Sequence, residues 1–222
     1  MIYSFAILRS PLTVVPDKAP TYRHYFGGPS EGLGVSAGLR FARVLTLDLL
    51  DPQLSFLRFD GPKELPLVMD FAEGAIDYSV RHDASLILHS KGETEVESLL
   101  ESELPRHGAR LEPISYEQYR AAIFASAGPD ESFLSAEDLA ALQSLGESYT
   151  QVGGSHARAS AYRPYCANPA CEGHGTQVTQ VLATISQVPA PGVSLDFLPY
   201  DPAVEYTFCM NCHSISGVIV PD

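Results

Sequence analysis

The chain has 222 residues and a net charge of −13, set by 14 lysines and arginines against 27 aspartates and glutamates. Hydrophobic residues make up 45% of the chain and charged residues 18%, a balance that indicates a globular protein and excludes a disordered one. No apolar run approaches the ~18 residues that a membrane-spanning helix needs, so the sequence predicts no contact with a membrane.

Residues 1–9 predict a first strand rather than a secretion signal. They contain a short apolar stretch, but no basic residue precedes it and no small-residue cleavage site follows it. We therefore expect an intracellular protein and assign it to the cytoplasm.

Apolar and alternating runs predict antiparallel strands in the first third. Residues 44–50 and 65–71 are apolar and adjoin Asp-Pro and Gly-Pro turns. Residues 76–80 alternate apolar and polar side chains, which is the period of a half-buried strand, and residues 85–89 are the expected partner. Together these segments predict a meander with short turns.

Capping residues predict three short helices in the middle of the chain. Two of these helices begin at a serine or threonine followed three residues later by glutamate or glutamine, so that each side chain can satisfy a backbone N–H left free at the helix start. The third begins at a serine and ends at a glycine. The expected helices cover residues 95–102, 116–126 and 136–146, after Thr94, Ser115 and Ser135.

The last third returns to strands. Residues 177–187 are rich in valine, threonine and isoleucine, and residues 205–209 and 214–220 predict a closing hairpin. We therefore predict an α+β fold: mostly antiparallel sheet, a central helical segment and a C-terminal pair of hairpins. The regions 1–150 and 151–222 are the expected domains, with one intertwined domain as the alternative.

A pair of glycines precedes a strand in each region. Gly27-Gly28 lies ahead of the strand at 44–47, and Gly153-Gly154 lies ahead of the strand at 181–185. Paired glycines permit a tight turn before a β segment. Either the halves are a duplication or the two pairs are a coincidence among 17 glycines.

The strongest motif is a set of two cysteine pairs. Four residues separate Cys166 from Cys171, and two separate Cys209 from Cys212. Close pairs on turns beside predicted strands can meet at the corners of a tetrahedron, which predicts a structural Zn2+ ion in a zinc-ribbon arrangement. Four cysteines fill the coordination sphere and leave no position for a catalytic water.

Other uses of these cysteines remain open. The alternatives to a zinc site are two local disulfides, free buried thiols, an iron–sulfur cluster or a redox pair at 209–212. His174 and His213 flank the pairs, and either histidine can replace a cysteine as ligand. We expect them instead to be a turn residue and a hydrogen-bond donor beside the metal.

A serine within a glycine-rich segment is the main candidate for catalysis. Gly34-x-Ser36-x-Gly38 has the spacing of a nucleophile elbow, which works only at a sharp turn from a strand to a helix. A loop precedes it here, so a glycine-rich surface loop is the favoured interpretation. The histidines available as its base are His24, His82 and His89.

The charge distribution disfavours a nucleic-acid-binding ribbon. A nucleic-acid interface needs clustered cations to neutralise phosphates, and residues 151–222 contain only Arg158 and Arg163. A basic protein partner suits the acidic surface better.

The last third resembles a known family. The residues that carry the resemblance are Gln151-Val152-Gly153-Gly154, the pair Cys166 and Cys171, residues 180–185, and the run Tyr206-Thr207-Phe208-Cys209-Met210-Asn211-Cys212. They are similar to the YwqG and programmed-cell-death-protein-2 group, and Tyr25-Phe26-Gly27-Gly28-Pro29 resembles the corresponding start of a first half. The resemblance implies a β-rich, zinc-containing fold that binds other proteins, including basic ribosomal ones. The first cysteine spacing and the lack of tryptophan differ from that group.

These observations favour a non-enzymatic protein-binding module, acting as a chaperone-like partner or an inhibitor of another protein, with zinc held by Cys166, Cys171, Cys209 and Cys212. A small serine hydrolase using Ser36 is the alternative, and a nucleic-acid-binding zinc ribbon ranks third.

Overall fold

The computed structural model describes residues 11–33, 41–57, 61–89, 103–127, 135–145, 150–154, 165–176, 179–186, 188–190, 192–195 and 203–220. Within these segments, eleven strands form one antiparallel sheet. The strands are β1 (Leu12–Pro16), β2 (His24–Phe26), β3 (Phe41–Asp48), β4 (Glu64–Asp70), β5 (Ala75–Val80), β6 (Leu86–Leu88), β7 (His107–Pro113), β8 (Gln151–Val152), β9 (Thr179–Ser186), β10 (Ala203–Cys209) and β11 (Ile215–Val220).

Helices are a minor part of the described structure. They are α1 (Tyr116–Ala127), α2 (Ala136–Leu145) and a 3-10 helix (Pro52–Leu57). The prediction of an α+β fold is wrong, because one curled sheet dominates the structure and the α-helices pack mainly against each other. The residues between the first two predicted helices form β7, which pairs with both β1 and β2 inside the sheet.

Most of the other predicted elements are confirmed. The strands expected at 44–50, 65–71, 76–80, 85–89, 177–187, 205–209 and 214–220 correspond to β3, β4, β5, β6, β9, β10 and β11. At the start of α1, the N–H of Gln118 donates to Ser115 Oγ at 3.2 Å and the N–H of Ser115 donates to Gln118 Oε1 at 3.0 Å, as the capping box requires. Predictions for residues 1–9 and 95–102 lie outside the described residues.

Eight of the eleven strands are arranged symmetrically about the pair β7 and β1. The order is β4-β3-β2-β7-β1-β8-β9-β10-β11-β5-β6, so β2, β3 and β4 follow β7 on one side as β8, β9 and β10 follow β1 on the other, and β11, β5 and β6 extend the second side only. At the centre β1 pairs with β8, and β7 pairs with β2, so the strand that precedes each half in sequence joins the other half. Strands of the regions 1–150 and 151–222 therefore lie side by side in one sheet.

The two halves repeat the same backbone details. The N–H of Gly27 donates to the carbonyl of Val44, and the N–H of Gly153 donates to the carbonyl of Leu182, both at 2.9 Å. Each accepting residue is the extra residue of a β-bulge, in β3 and β9 respectively. Both glycines have a positive φ, a conformation that disfavours other residues.

The turns that follow β4 and β10 also match. After β4, the N–H of Gly74 donates to the carbonyl of Asp70, and after β10 the N–H of His213 donates to the carbonyl of Cys209, both at 2.9 Å. Gly74 and His213 have φ of +70° and +57°. These matches support a duplication, which accounts for the two Gly-Gly pairs.

The curl of the sheet brings β5 against β4. The Tyr78 hydroxyl accepts the N–H of Val68 at 3.1 Å and donates to the carbonyl of Pro66 at 3.0 Å. Burial raises the pKa of Tyr78, so the hydroxyl keeps its proton and can donate. The predicted meander is wrong at this point, because β5 pairs with β11 and β6, and its tyrosine side chain spans the gap to β4.

An apolar core lines the sheet. Its fully buried members include Phe26, Leu45, Leu67, Leu182, Ile185 and Tyr206. Core residues come from both halves, which gives the two regions a shared hydrophobic interior. Among the described residues, neither helix is long and apolar enough to cross a membrane.

Candidate metal centre

The structure brings all four cysteines together. One sulfur atom from each of Cys166, Cys171, Cys209 and Cys212 lies within 4.8 Å of the others. The Sγ atoms of Cys166 and Cys212 are 3.6 Å apart, and those of Cys171 and Cys209 are 3.9 Å apart. All four cysteines are free thiols, so the two local disulfides considered as an alternative are absent from the structure.

Two turns present these sulfurs. Cys209 ends β10, and the turn before β11 carries Cys212. The N–H of Asn211 points at Cys209 Sγ at 3.4 Å, and in the segment before β9 the N–H of Gly173 points at Cys171 Sγ at 3.3 Å. Backbone donors aimed at sulfur favour the thiolate, which is the form that binds a metal.

The segment that carries the first pair is held by its own backbone. Cys166 donates its N–H to the carbonyl of Thr176 at 3.2 Å, and its carbonyl accepts the N–H of Gly175 at 3.0 Å. The carbonyl of Cys171 accepts the N–H of His174 at 2.9 Å. These bonds fix both cysteines on one short loop, so that their sulfurs face the turn after β10.

The surroundings of the four thiols give them different pKa values. Burial raises the pKa of Cys209 to about 12. Although burial also opposes ionisation of Cys212, its hydrogen bonds with the side chain and the backbone of Ser214 lower the pKa of that thiol to about 6. Ser214 Oγ lies 3.2 Å from Cys212 Sγ and 3.5 Å from Cys166 Sγ. The cluster therefore contains one readily formed thiolate and one well-buried thiol.

The sulfur positions fit a tetrahedral metal. With metal–sulfur bonds of about 2.3 Å, a regular tetrahedron places its sulfurs about 3.8 Å apart. The separations of 3.6 and 3.9 Å lie on either side of that distance. Cys166 and Cys209 are buried, and Cys171 and Cys212 are partly exposed, so an ion at the centre would be largely shielded from water. The arrangement can hold a metal ion.

The two flanking histidines stay outside this cluster. Within the described residues, the group of side chains able to hold a metal contains the four cysteines and neither His174 nor His213. His174 is exposed, and burial lowers the pKa of His213, which occupies the positive-φ position of the turn.

The structure describes the three candidate histidines for serine hydrolysis but not the candidate serine. Ser36 lies outside the described residues. His24 is buried, receives the N–H of Asp48 on Nδ1 at 3.1 Å and contacts Asp51 Oδ2 through Nε2 at 3.0 Å. These two contacts tie the ring to the loop after β3, which indicates a structural role for His24.

The other two histidines lie on the hairpin of β5 and β6. His82 is exposed in the connecting turn. His89 Nε2 lies 2.7 Å from Ser79 Oγ, and burial lowers the pKa of its imidazole. Ser79 was not a candidate in the sequence, because it alternates with Tyr78 and Val80 like any outward-facing strand residue.

A second cluster escaped sequence reasoning. Arg43 is buried in β3 and contacts Tyr25 of β2, and the guanidinium of Arg106 lies over the same tyrosine ring. The one available signal is the arginine itself, which stands in the otherwise apolar run Phe41-Ala42-Arg43-Val44-Leu45. The rest of the run is apolar, as in a strand that is buried on both faces. Such a pattern does not explain why one of its residues is charged.

Comparisons of the chain with protein-family models, curated proteins and solved structures gave no match.

Proposed function

We propose that the chain is a non-enzymatic, zinc-stabilised module that binds another protein in a reducing compartment such as the cytoplasm. The observation that carries this proposal is the closed set of four sulfurs at Cys166, Cys171, Cys209 and Cys212. Four protein ligands leave no open position for a substrate or a reactive water, which is the mark of a structural rather than a catalytic site.

Zinc is the metal that this donor set favours. A tetrahedron of four thiolates suits zinc or iron, and zinc needs no redox partner. Zinc would join the loop of Cys166 and Cys171 to the end of β10, and its binding energy would then be part of the folding energy of this end of the sheet. The resemblance to the YwqG and programmed-cell-death-protein-2 group points the same way.

The edge strand β6 is the surface on which we place the partner. Among the described strands it pairs only with β5, the N–H of Leu86 at its start donates to the carbonyl of Leu33 at 2.7 Å, and the side chains of Ile87 and Leu88 are 41% and 37% exposed. An edge strand with exposed apolar side chains is a template for another chain. The net charge of −13 would favour a basic partner and speed its approach.

Elemental analysis of protein purified without added metal tests the first part of the proposal. We expect one zinc per chain and four thiols after denaturation in chelator. One iron per chain would instead show that the four cysteines hold an iron centre. No metal with fewer than four thiols would show disulfides and contradict the proposal.

Partner capture with matched variants tests the second part. We expect wild-type protein and Leu50→Lys to retain the same stoichiometric partner from a native extract, and Ile87→Lys to lose it. Leu50 is the control because it is 61% exposed and belongs to the turn after β3, not to β6. Retention of the partner by Ile87→Lys would remove β6 as the docking surface, and no stoichiometric partner with the wild type would contradict protein binding.

A further inference from the structure

A buried guanidinium lacks an anionic partner. Arg43 is only 9% exposed, and its Nη1 donates to the hydroxyl of Tyr25 at 2.5 Å and, at 3.5 Å, to Thr46 Oγ1. Its buried Nε–H has no hydrogen-bond partner within the described residues. No carboxylate in the described part of the chain pairs with it, although burying an unpaired charge is costly.

A second cation lies beside the first. The guanidinium carbon of Arg106 is 4.0 Å from the centre of the Tyr25 ring, and that of Arg43 is 5.8 Å from it. The ring face attracts both cations, but a ring quadrupole neutralises neither. Arg106 is exposed, so this side of the pair is open to solvent.

Two arginines at the surface of the same chain, unlike Arg43, form ion pairs. Arg110 pairs with Glu112 and Asp17, and Arg120 pairs with Asp138. The chain has almost twice as many acidic as basic residues. Acidic side chains therefore accompany Arg110 and Arg120 at the surface, where ion pairs contribute little, but none of those described accompanies the buried Arg43.

The matching second half shows that this arrangement of strands does not require the arginine. By strand register, Val181 of β9 occupies the position of Arg43, and Gln151 of β8 occupies that of Tyr25. The adjacent bulge is present in both halves. Bulges commonly redirect a side chain beside a binding site, and only the first half uses that position for a cation.

We propose that Arg43 and Arg106, which both contact Tyr25, form a binding site for an oxyanion, the phosphate or carboxylate group of a small ligand. Arg43 would supply its unpartnered Nε–H from the buried side, and Arg106 would close over the anion from solvent. Planar guanidinium groups present paired donors that match both phosphate and carboxylate oxygens. The Tyr25 hydroxyl positions Arg43, and the ring orients Arg106.

Titration with two simple anions tests the site. Inorganic phosphate and acetate are added separately to the metal-loaded protein at ionic strength held constant with sodium chloride, and binding is followed by calorimetry and by the unfolding temperature. We expect saturable binding of one or both anions. Phosphate alone would assign a phosphorylated ligand, and acetate alone would assign a carboxylic acid.

Three variants separate this site from a general charge effect. Arg43→Met and Arg106→Ala should each weaken binding about tenfold to a hundredfold, since each removes charge-assisted hydrogen bonds. Arg110→Ala removes an equally charged but ion-paired side chain and should bind like the wild type. Metal content is measured for every variant, so that loss of anion binding is distinguished from loss of the cysteine site.

Two results would overturn the proposal. One is the absence of any saturable effect of either anion beyond that of sodium chloride. The other is unchanged affinity in Arg106→Ala, whose substitution touches an exposed side chain and leaves the fold intact even if Arg43→Met fails to fold. Without anion, Arg43→Met should unfold at the same or a higher temperature than the wild type, because it removes an unpaired buried charge.

Discussion

Two parts of the sheet have the same backbone arrangement but different functional side chains. The first half contains β2, β3 and β4, and the second half contains β8, β9 and β10. Each half has a glycine whose N–H donates to the carbonyl of a bulge residue, and the last strand of each half is followed by the same kind of turn. In the first half, the carboxylate of Asp70 closes that turn by accepting the N–H groups of Ala72 and Glu73 at 3.1 and 3.2 Å. In the second half, the sulfur of Cys209 accepts the N–H of Asn211.

This difference shows what belongs to the fold and what was added to it. A carboxylate and a thiolate can satisfy the same turn, but only the thiolate turn offers a soft ligand to a metal. Conversely, the first half carries the buried guanidinium where the second has Val181. Features present in one half only are therefore the best guide to function, and substitutions at matching positions can separate them from the shared fold.

The largest effect is expected from removing a cysteine. Cys209→Ser should lose the metal and destabilise the chain by several kcal/mol, up to about 10 kcal/mol, because metal binding contributes to folding. Met210→Ser, in the same turn but 43% exposed, should keep the metal and the unfolding temperature. Metal content and thermal unfolding check both variants.

Hydrogen exchange sharpens that comparison of the two halves. In Cys209→Ser, the amides of β10 and β11 should lose protection before those of β2 and β3, since the proposed metal is held by cysteines of the second half alone. Equal loss of protection in both halves, or a variant that keeps its metal and its stability, would contradict the assignment of Cys209 as a structural ligand.

A glycine of the first half should give the next largest effect. A Cβ at Gly27 would lie 2.1 Å from the carbonyl oxygen of Pro105, and its φ is +60°. Gly27→Ala should therefore cost about 3–5 kcal/mol, because a backbone clash adds to the left-handed conformation. Gly32→Ala has a φ of +81° with no atom within 4 Å and should cost only about 1–2 kcal/mol.

Chemical denaturation measures the two glycine variants. Because the halves share one sheet, Gly27→Ala should shift a single unfolding transition rather than create a second one. Equal destabilisation by the two substitutions would show that backbone strain alone, and not the contact with Pro105, explains the cost of a side chain at Gly27.

The sequence was sufficient for local elements and for the cysteine cluster. Periodicity located the strands from β3 to β6 and from β9 to β11, and the capping box at Ser115 and Gln118 marked α1. Pair spacing predicted that the four cysteines meet, because tight turns beside paired strands leave them few other positions.

Longer-range features were not accessible from the same signals. Strand alternation does not reveal partners, so β5 was placed beside β4 rather than beside β11. The short strand β2, at residues 24–26, offers too few residues for a periodic pattern. The contact of Arg43 with Tyr25 depends on a bulge and on pairing across strands, and neither leaves a mark in local composition.

Breaking the closure of the sheet should have a moderate effect. Tyr78→Phe removes the hydroxyl that serves Val68 and Pro66 of β4, and leaves a buried N–H and a buried carbonyl without that partner. We expect a loss of about 1–3 kcal/mol in the free energy of unfolding. Tyr116→Phe, at a tyrosine that is 72% exposed, should change it little. Urea denaturation compares the two, and equal stability would mean that β4 is held by apolar packing alone.

The smallest effect concerns the acid sensitivity of the metal. Metal binding requires thiolates, so protons displace the ion as the pH falls. The hydroxyl of Ser214 favours the thiolate of Cys212, and its removal in Ser214→Ala raises the pKa of that thiol. Protons then compete at a higher pH, and the midpoint of metal release should move upward by about a few tenths of a pH unit.

A colorimetric zinc indicator follows this release during an acid titration. Ser216→Ala is the matched control, because Ser216 lies on the adjoining strand β11 and its hydroxyl donates to Asp77 at 2.5 Å instead. A midpoint that stays in place or moves to lower pH in Ser214→Ala would show that the backbone donors alone maintain the thiolates. To bind a metal, the turn after β10 would then require only the sulfur of its cysteine and the backbone hydrogen bonds that are also present in the turn after β4.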